Sequence, residues 1–191
     1  MNVLVLVAPG SEEIETVAIV DTLVRGGIDV VLASCCPTGA RQIRASRGVQ
    51  LVADCHLDEL TTRDFDAMVV PGGLPGSEVI RNTPLAIDLL REQAGLGRWR
   101  AAICAAPAVV LHHHGLLGDA STTCHPGFQA RLPATQLSTA RVVTDEAHRL
   151  ITSQGPGTAI EFALEIVRVL RGDEAARTVA GPMVLPPSLS P

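Results

Sequence analysis

Six consecutive apolar residues, Val3-Leu4-Val5-Leu6-Val7-Ala8, open the chain and stop at Pro9-Gly10. A short valine-rich run with no polar alternation suits a strand buried on both faces, the condition of strands in parallel sheets. The next segments agree. Ser11 can cap a helix whose first turn carries Glu12 and Glu13, where carboxylates meet the positive end of the helix dipole. That helix runs to about Arg25 and ends at Gly26-Gly27. Ile28 to Ser34 is a second apolar strand. Strand, helix and strand in this space make a βαβ unit, which commits the chain to a parallel sheet.

The pattern continues. Arg41 to Ala53 predicts a β-hairpin around Ser46-Arg47-Gly48, appended to the sheet. Asp66 to Val70 is a buried strand closed by Pro71-Gly72-Gly73. Pro84 to about Gly95 predicts a helix with proline in its first turn. Trp99 to Ile103 is the next strand, and Ala105-Ala106-Pro107 opens a helix through about His114. Arg141 to Thr152 predicts a second hairpin, turning near Glu146-Ala147. Gly155-Pro156-Gly157-Thr158 opens an amphipathic helix to Leu170, stopped by Gly172. The expected fold is one α/β domain over residues 1–191, a doubly wound, mostly parallel sheet sandwiched by helices, with appended β-hairpins. The tail, from about residue 184 to 191, is expected to fray.

Composition narrows the function classes. The net charge is −5, aromatic residues are 2% and tyrosine is absent, so neither the basic face nor the stacking rings of a nucleic-acid binder are present. No apolar run reaches the length of a membrane span. The apolar start lacks a basic flank and is followed by acids, so it is read as a strand and not as a signal peptide. Five cysteines, Cys35, Cys36, Cys55, Cys104 and Cys124, are an odd number with no CxxC spacing. Neither a disulfide framework nor a structural zinc site is expected, and the chain is read as cytoplasmic with free thiols. Cys35 and Cys36 read as small core or edge residues. His112-His113-His114 reads as a solvated helix end, because successive helical residues point in different directions and cannot share one metal.

In an open parallel sheet, sites form beyond the carboxyl ends of the strands. Three loops fall there: Pro9 to Glu15, Pro71 to Gly73, and Ile103 to Ala106. Cys104 sits at a strand-to-helix turn among small neighbours, as in a nucleophile elbow. A helix N-terminus should lower its pKa, and nearby backbone N–H groups, with those of Gly72-Gly73, can form an oxyanion hole. One of Glu12, Glu13 and Glu15 can supply a buried, protonated carboxyl beside the thiol, and spacing does not choose among them. His125 follows Cys124 in a loop. Gly155-Pro156-Gly157 lacks the Lys-Ser/Thr of a phosphate loop and no GxGxxG exists, so no nucleotide cofactor is expected.

The segments Ala8-Pro9-Gly10-Ser11-Glu12-Glu13-Ile14-Glu15, Val70-Pro71-Gly72-Gly73, Ala101-Ala102-Ile103-Cys104-Ala105-Ala106-Pro107 and Thr152-Ser153-Gln154-Gly155-Pro156-Gly157-Thr158 together resemble the ThiJ/PfpI superfamily. Within it they are most similar to the parkinsonism-associated deglycase and YajL-like branch. The resemblance runs over nearly the whole chain. It implies a flavodoxin-like homodimer in which Cys104 is the reactive thiol, Glu15 its protonated partner and His125 the nearby histidine. It implies that the amides of Gly73 and Ala105 line the oxyanion pocket. The peptidase branch carries histidine directly after the nucleophile, where this chain has Ala105. Amidotransferase relatives use a late His-x-Glu, and none follows Cys104. Cys124, beside His125, is not part of the pattern, and it is a candidate resolving thiol.

The resulting expectation is a cofactor-independent, metal-free glyoxalase or deglycase. It would act on reactive dicarbonyls or their glycated adducts in defence against carbonyl and oxidative stress. The alternative from the same residues is a redox sensor or oxidation-gated chaperone with protein clients, reading the oxidation of Cys104. No membrane and no sequence-specific nucleic acid are expected among the partners.

Overall fold

The computed structural model describes residues 1–61 and 64–186. Its framework is set by β1 (Asn2–Val7), α1 (Glu13–Arg25) and β2 (Asp29–Ser34). β1 and β2 pair in parallel from Asn2↔Asp29 to Val7↔Ser34. A separate two-stranded ladder, β3 (Gln42–Arg44) with β4 (Gln50–Val52), follows, and then β5 (Cys55–His56) and β6 (Ala67–Val70). Two helices, α2 (Gly76–Arg81) and α3 (Pro84–Gly95), lead to β7 (Trp99–Ile103). A π-helical stretch at Pro107–His112 and a 3-10 turn at Pro126–Arg131 precede β8 (Val142–Asp145) and β9 (Leu150–Ser153). α4 (Ala159–Arg171) and α5 (Asp173–Ala180) close the described chain.

The main sheet runs β5-β2-β1-β6-β7-β9-β8, parallel throughout except where β8 meets β9. Its five central strands follow the flavodoxin-like order, which reverses between β1 and β6. Period-two alternation sorts β1 onto two cores. Val3 and Val5 face α1 and α4 with Val69, Ile103 and Phe162. Leu4 and Leu6 face the other layer with Met68, Ile80, Leu90 and Val110. Each of these four side chains of β1 is fully buried, worth about 1.5–3 kcal/mol against exposure. α4 turns Phe162, Ala163, Ile166 and Val167 inward, the spacing of a single helical face.

The expected doubly wound sandwich is what the chain forms, with corrections in detail. Ser11 does not cap α1. Its Oγ accepts from Ala8 N–H at 3.0 Å to tighten the preceding turn, and Glu12 takes the cap, its carboxylate accepting from Glu15 N–H at 2.7 Å. The β3–β4 hairpin is its own small sheet and is not joined to the main one. The second hairpin is no appendage: β9 lies inside the main sheet, parallel to β7 on one side and antiparallel to β8 on the other. The helix after Cys104 is π-helical over Pro107–His112. α2, β5 and α5 had no expectation. Of the tail expected to fray, residues 187–191 lie outside the described residues. Among the described residues, no helix is long and apolar enough to cross a membrane.

One face of the molecule stays apolar in solvent. Ile14, Val17 and Val24 of α1 are more than half exposed, and Val52 of the neighbouring hairpin is 69% exposed. A groove of about 350 Å³ is lined by Val17, Val24 and Val52 together with Leu32 and Leu51.

Candidate active site

The strand order reverses between β1 and β6, and their following loops part there to make a crevice. Gly10, Gly73 and Gly76 bring the backbones of two loops into contact. A Cβ on Gly73 would sit 2.5 Å from Gly10 O, and Gly73 holds φ at +89°. Glu12 N–H donates to Gly72 O at 3.0 Å, stitching the two loops. A Cβ on Gly72 would lie 2.5 Å from Cys104 Cβ and 2.8 Å from Glu15 Oε2, so only glycine leaves room for both side chains.

Cys104 follows β7 with φ at +64°, a left-handed conformation that a cysteine adopts only under constraint. Its backbone is held from both sides. Its N–H donates to Ser153 O at 2.9 Å, and its carbonyl accepts from His125 N–H at 2.8 Å. This is the sharp turn of a nucleophile elbow. Cys104 is 9% exposed, and the backbone N–H groups of Gly73 and Ala105 point at its sulfur.

The structure separates the three glutamates that spacing left equivalent. Glu12 caps α1. Glu13 reaches sideways, accepting from Ser46 Oγ and Arg47 N–H, each at 2.8 Å. Burial acts to raise its pKa, but these donors hold it below the ordinary carboxylate value. Glu15 has no exposed surface and turns under Cys104. Its Oε2 accepts from Gly72 N–H at 2.7 Å, while Oε1 is buried without an N–H or O–H partner. The carboxyl is pushed up to about 7, first by burial, with the charge of Glu12 adding to it.

The expectation that a helix terminus lowers the Cys104 pKa is corrected. Burial raises it, and an ionised Glu15 beside it raises it further, outweighing the two amides that favour the thiolate. The two groups therefore titrate as one unit. Between the two titrations the pair holds one proton, which can sit on the sulfur or on the carboxyl. With the proton on Glu15, the thiolate has three donors, the carboxyl O–H and the amides of Gly73 and Ala105.

His125 lies at the mouth of the same cleft, which encloses about 440 Å³. Its Nδ1 accepts from Gly127 N–H at 3.1 Å, so the neutral ring carries its proton on Nε2. Phe128 packs edge-on to the ring at 6.1 Å between centroids. Cys104, Glu15, His125, Gly73 and Ala105 are thus brought together. Cys124 is not brought into the cleft. It has no exposed surface and packs in the opposite core layer with Leu6, Ala8 and Val110. Its Sγ donates to His125 O at 3.5 Å, and burial pushes it up to about 11. That placement speaks against a resolving thiol. All five cysteines are free. Among the described residues no three His, Cys, Asp or Glu side chains converge to hold a metal ion.

Sequence reasoning missed the wall opposite His125. Ser46 and Arg47, from the β3–β4 hairpin tip, and Ile14 of α1 line the cleft with Leu74. A hairpin turn far upstream carries no signal of this; only the Glu13 carboxylate that pins it could have hinted at the contact.

Comparison with known proteins places this geometry. The profile of the DJ-1/PfpI family matches residues 1–169. Protein DJ-1 homolog B of Arabidopsis thaliana is 40% identical over 188 residues, covering 98% of this chain and 42% of the relative. This chain therefore spans less than half of that longer protein. A Caenorhabditis elegans relative named glutathione-independent glyoxalase DJR-1.2 is 35% identical, covering 96% of each chain. Among solved structures, the VC2308 protein superposes with a TM-score of 0.94 at 43% identity, covering 98% of this chain and 95% of that one. Toxoplasma gondii DJ-1 in an oxidized form superposes with a TM-score of 0.92 at 40% identity, covering 96% and 97%.

Proposed function

The chain belongs to the DJ-1/PfpI family, and from that membership we propose that it is a cysteine-dependent enzyme converting reactive dicarbonyls, or their early adducts, into 2-hydroxy acids. This is a glyoxalase or deglycase activity in defence against carbonyl and oxidative stress. The observation that carries it is the Cys104–Glu15 pair, a strained thiol and a buried carboxyl that titrate as one unit in a cleft.

In the proposed sequence, the Cys104 thiolate adds to the aldehyde carbon of methylglyoxal, forming a C–S bond and sending the carbonyl electron pair to oxygen. The amides of Gly73 and Ala105 stabilise that oxyanion, and Glu15 protonates it. The Glu15 carboxylate then removes the remaining hydrogen of that carbon as a proton. His125 Nε2–H donates to the neighbouring keto oxygen as the enediol forms. Return of the proton to the second carbon, with the first carbon's hydroxyl proton passing to the second oxygen, leaves a lactoyl thioester. Water attacks it, the thiolate leaves, and lactate is released with no net oxidation. No metal or nucleotide takes part in these steps. The test is lactate release from methylglyoxal by protein dialysed against a chelator; release no faster than the uncatalysed background removes the reading.

A second reading rests on the three donors around the sulfur. The same N–H groups and the Glu15 O–H suit a Cys104 sulfinate, which would make the protein a redox sensor or an oxidation-gated chaperone. Mild peroxide should then add two oxygens at Cys104 alone, by intact mass and peptide mapping. Oxidation scattered over all five cysteines counts against it.

The expected homodimer is assigned to the apolar face of α1 and the β3–β4 hairpin. A patch of this kind is costly on a monomer. Val17→Asp should convert a dimer to a monomer in sedimentation equilibrium, and a wild-type monomer at micromolar concentration would remove the assignment.

A further inference from the structure

Arg47 stands at the mouth of the cleft on an unusually well-fixed support. Its own N–H and the Ser46 hydroxyl donate to the two oxygens of Glu13. Ser46 N–H donates to Ser11 O, and Gly10 N–H donates to Arg44 O, each at 2.8 Å. These four bonds tie the hairpin tip to the loop that carries the glutamates. The guanidinium itself is left over. It is exposed, and among the described residues its hydrogen bond is a stretched one to Ser46 O at 3.4 Å. Arg25, Arg41, Arg141 and Arg168 each rest on a carboxylate. Among the described residues Arg47 rests on none.

The other charges facing the cleft do not answer it. The Glu12 carboxylate is engaged with the first-turn amides of α1 through Glu15 N–H. Glu15, pushed up to about 7, is largely protonated below that pH. His125 presents a donor. The cleft, at about 440 Å³ and walled by Ile14, Leu74 and Phe128, falls in the size range of sites that enclose drug-sized ligands, well beyond what a three-carbon dicarbonyl fills. A guanidinium on a fixed backbone, with no carboxylate partner among the described residues, at the edge of an oversized apolar cleft, is complementary to an anionic group set apart from the reacting carbonyl.

Building on the enzymatic reading above, we propose that Arg47 makes the cleft select dicarbonyls carrying a carboxylate or phosphate, borne either on the dicarbonyl itself or on the thiol it has added to. Turnover is compared for two hemithioacetals of methylglyoxal, one with mercaptoacetate and one with 2-mercaptoethanol, at matched free methylglyoxal. The two differ by a single negative charge. Wild-type protein should favour the charged adduct by about tenfold in kcat/KM at low salt. Arg47→Met should bring that ratio to about one, and Arg47→Lys should fall between. Hydroxypyruvaldehyde phosphate against methylglyoxal tests the other source of the charge, and the larger Arg47-dependent ratio identifies the source. A ratio of one for both pairs in wild-type protein, or ratios that survive Arg47→Met, overturns the proposal.

Binding separates this proposal from the enzymatic reading. Calorimetry on Cys104→Ala protein should show thiodiacetate binding that is lost on adding Arg47→Met. Such binding without turnover of any adduct would overturn the enzymatic reading and leave anion recognition standing. Turnover with neither charge preference nor thiodiacetate binding would overturn anion recognition alone.

Discussion

Cys104→Ser should lower methylglyoxal turnover on the order of a thousandfold or more, because the whole proposed sequence passes through a covalent bond to sulfur. Serine is nearly the same size, so the elbow, the Gly72 contact and both backbone hydrogen bonds of residue 104 survive the change. What is lost is the nucleophile. A serine hydroxyl stays protonated where a thiol shares its proton with Glu15, and a neutral hydroxyl is a poor nucleophile without a strong base. Circular dichroism and thermal melting should match the wild type, which separates a chemical loss from a folding loss. Serine protein retaining more than about a tenth of the activity would show that the thiol is not the attacking group.

Glu15→Gln should gain stability as the pH rises, which is unusual for a substitution in a buried site. The Glu15 carboxyl is raised from its ordinary 4.5 to about 7 in the folded protein, chiefly by burial. The folded state therefore holds a proton that the unfolded chain releases. Its stabilising contribution is complete below about 4.5, declines as the pH climbs, and is gone above about 7. The rise corresponds to at most about 3 kcal/mol. Glutamine is neutral throughout and can still accept from Gly72 N–H. The variant should match the wild type near pH 4.5 and exceed it by up to about that amount at pH 8, measured by urea unfolding. A constant difference across this range would show that Glu15 is not held protonated.

The same variant reports on the thiol. Burial and the ionised Glu15 raise the wild-type Cys104 thiol, so iodoacetamide should modify it with a midpoint well above neutral pH. In Glu15→Gln protein that carboxylate is gone, and the midpoint should move down by about a unit or more. An unchanged midpoint would uncouple the two groups.

Long or uniform signals made the fold legible. The runs at Val3–Val7 and Trp99–Ile103 bury both faces, and nothing but a central strand does that with so few polar atoms. α4 repeats its apolar positions over three turns. α2 has six residues and β5 two, too few for a period to show, and α5 offers only Ala176, Val179 and Ala180 as a buried stripe. The site was legible where it depends on local backbone. Small residues around Cys104 announce a tight turn, and paired glycines announce a close approach. Choosing Glu15 over its neighbours took either the family resemblance or the fold, since a one-residue step on a helix swings the side chain by about 100°. The Cys104 acidity was misread because the helix-terminus rule carries no term for a buried carboxylate delivered from another element. Arg47 was invisible because its place is set by a hairpin docking onto α1.

The left-handed backbone at Cys104 has a consequence for variants of this protein. At φ of +64° glycine would be at ease, and cysteine costs about 1–3 kcal/mol. In a library selected for thermal stability alone, position 104 should drift towards glycine, and the drifted proteins should be hardier than their parent. Selection for soluble expression would erase the chemistry first and the architecture last. A robust, well-folded isolate from such a library is therefore the one whose codon 104 should be sequenced before it is assayed.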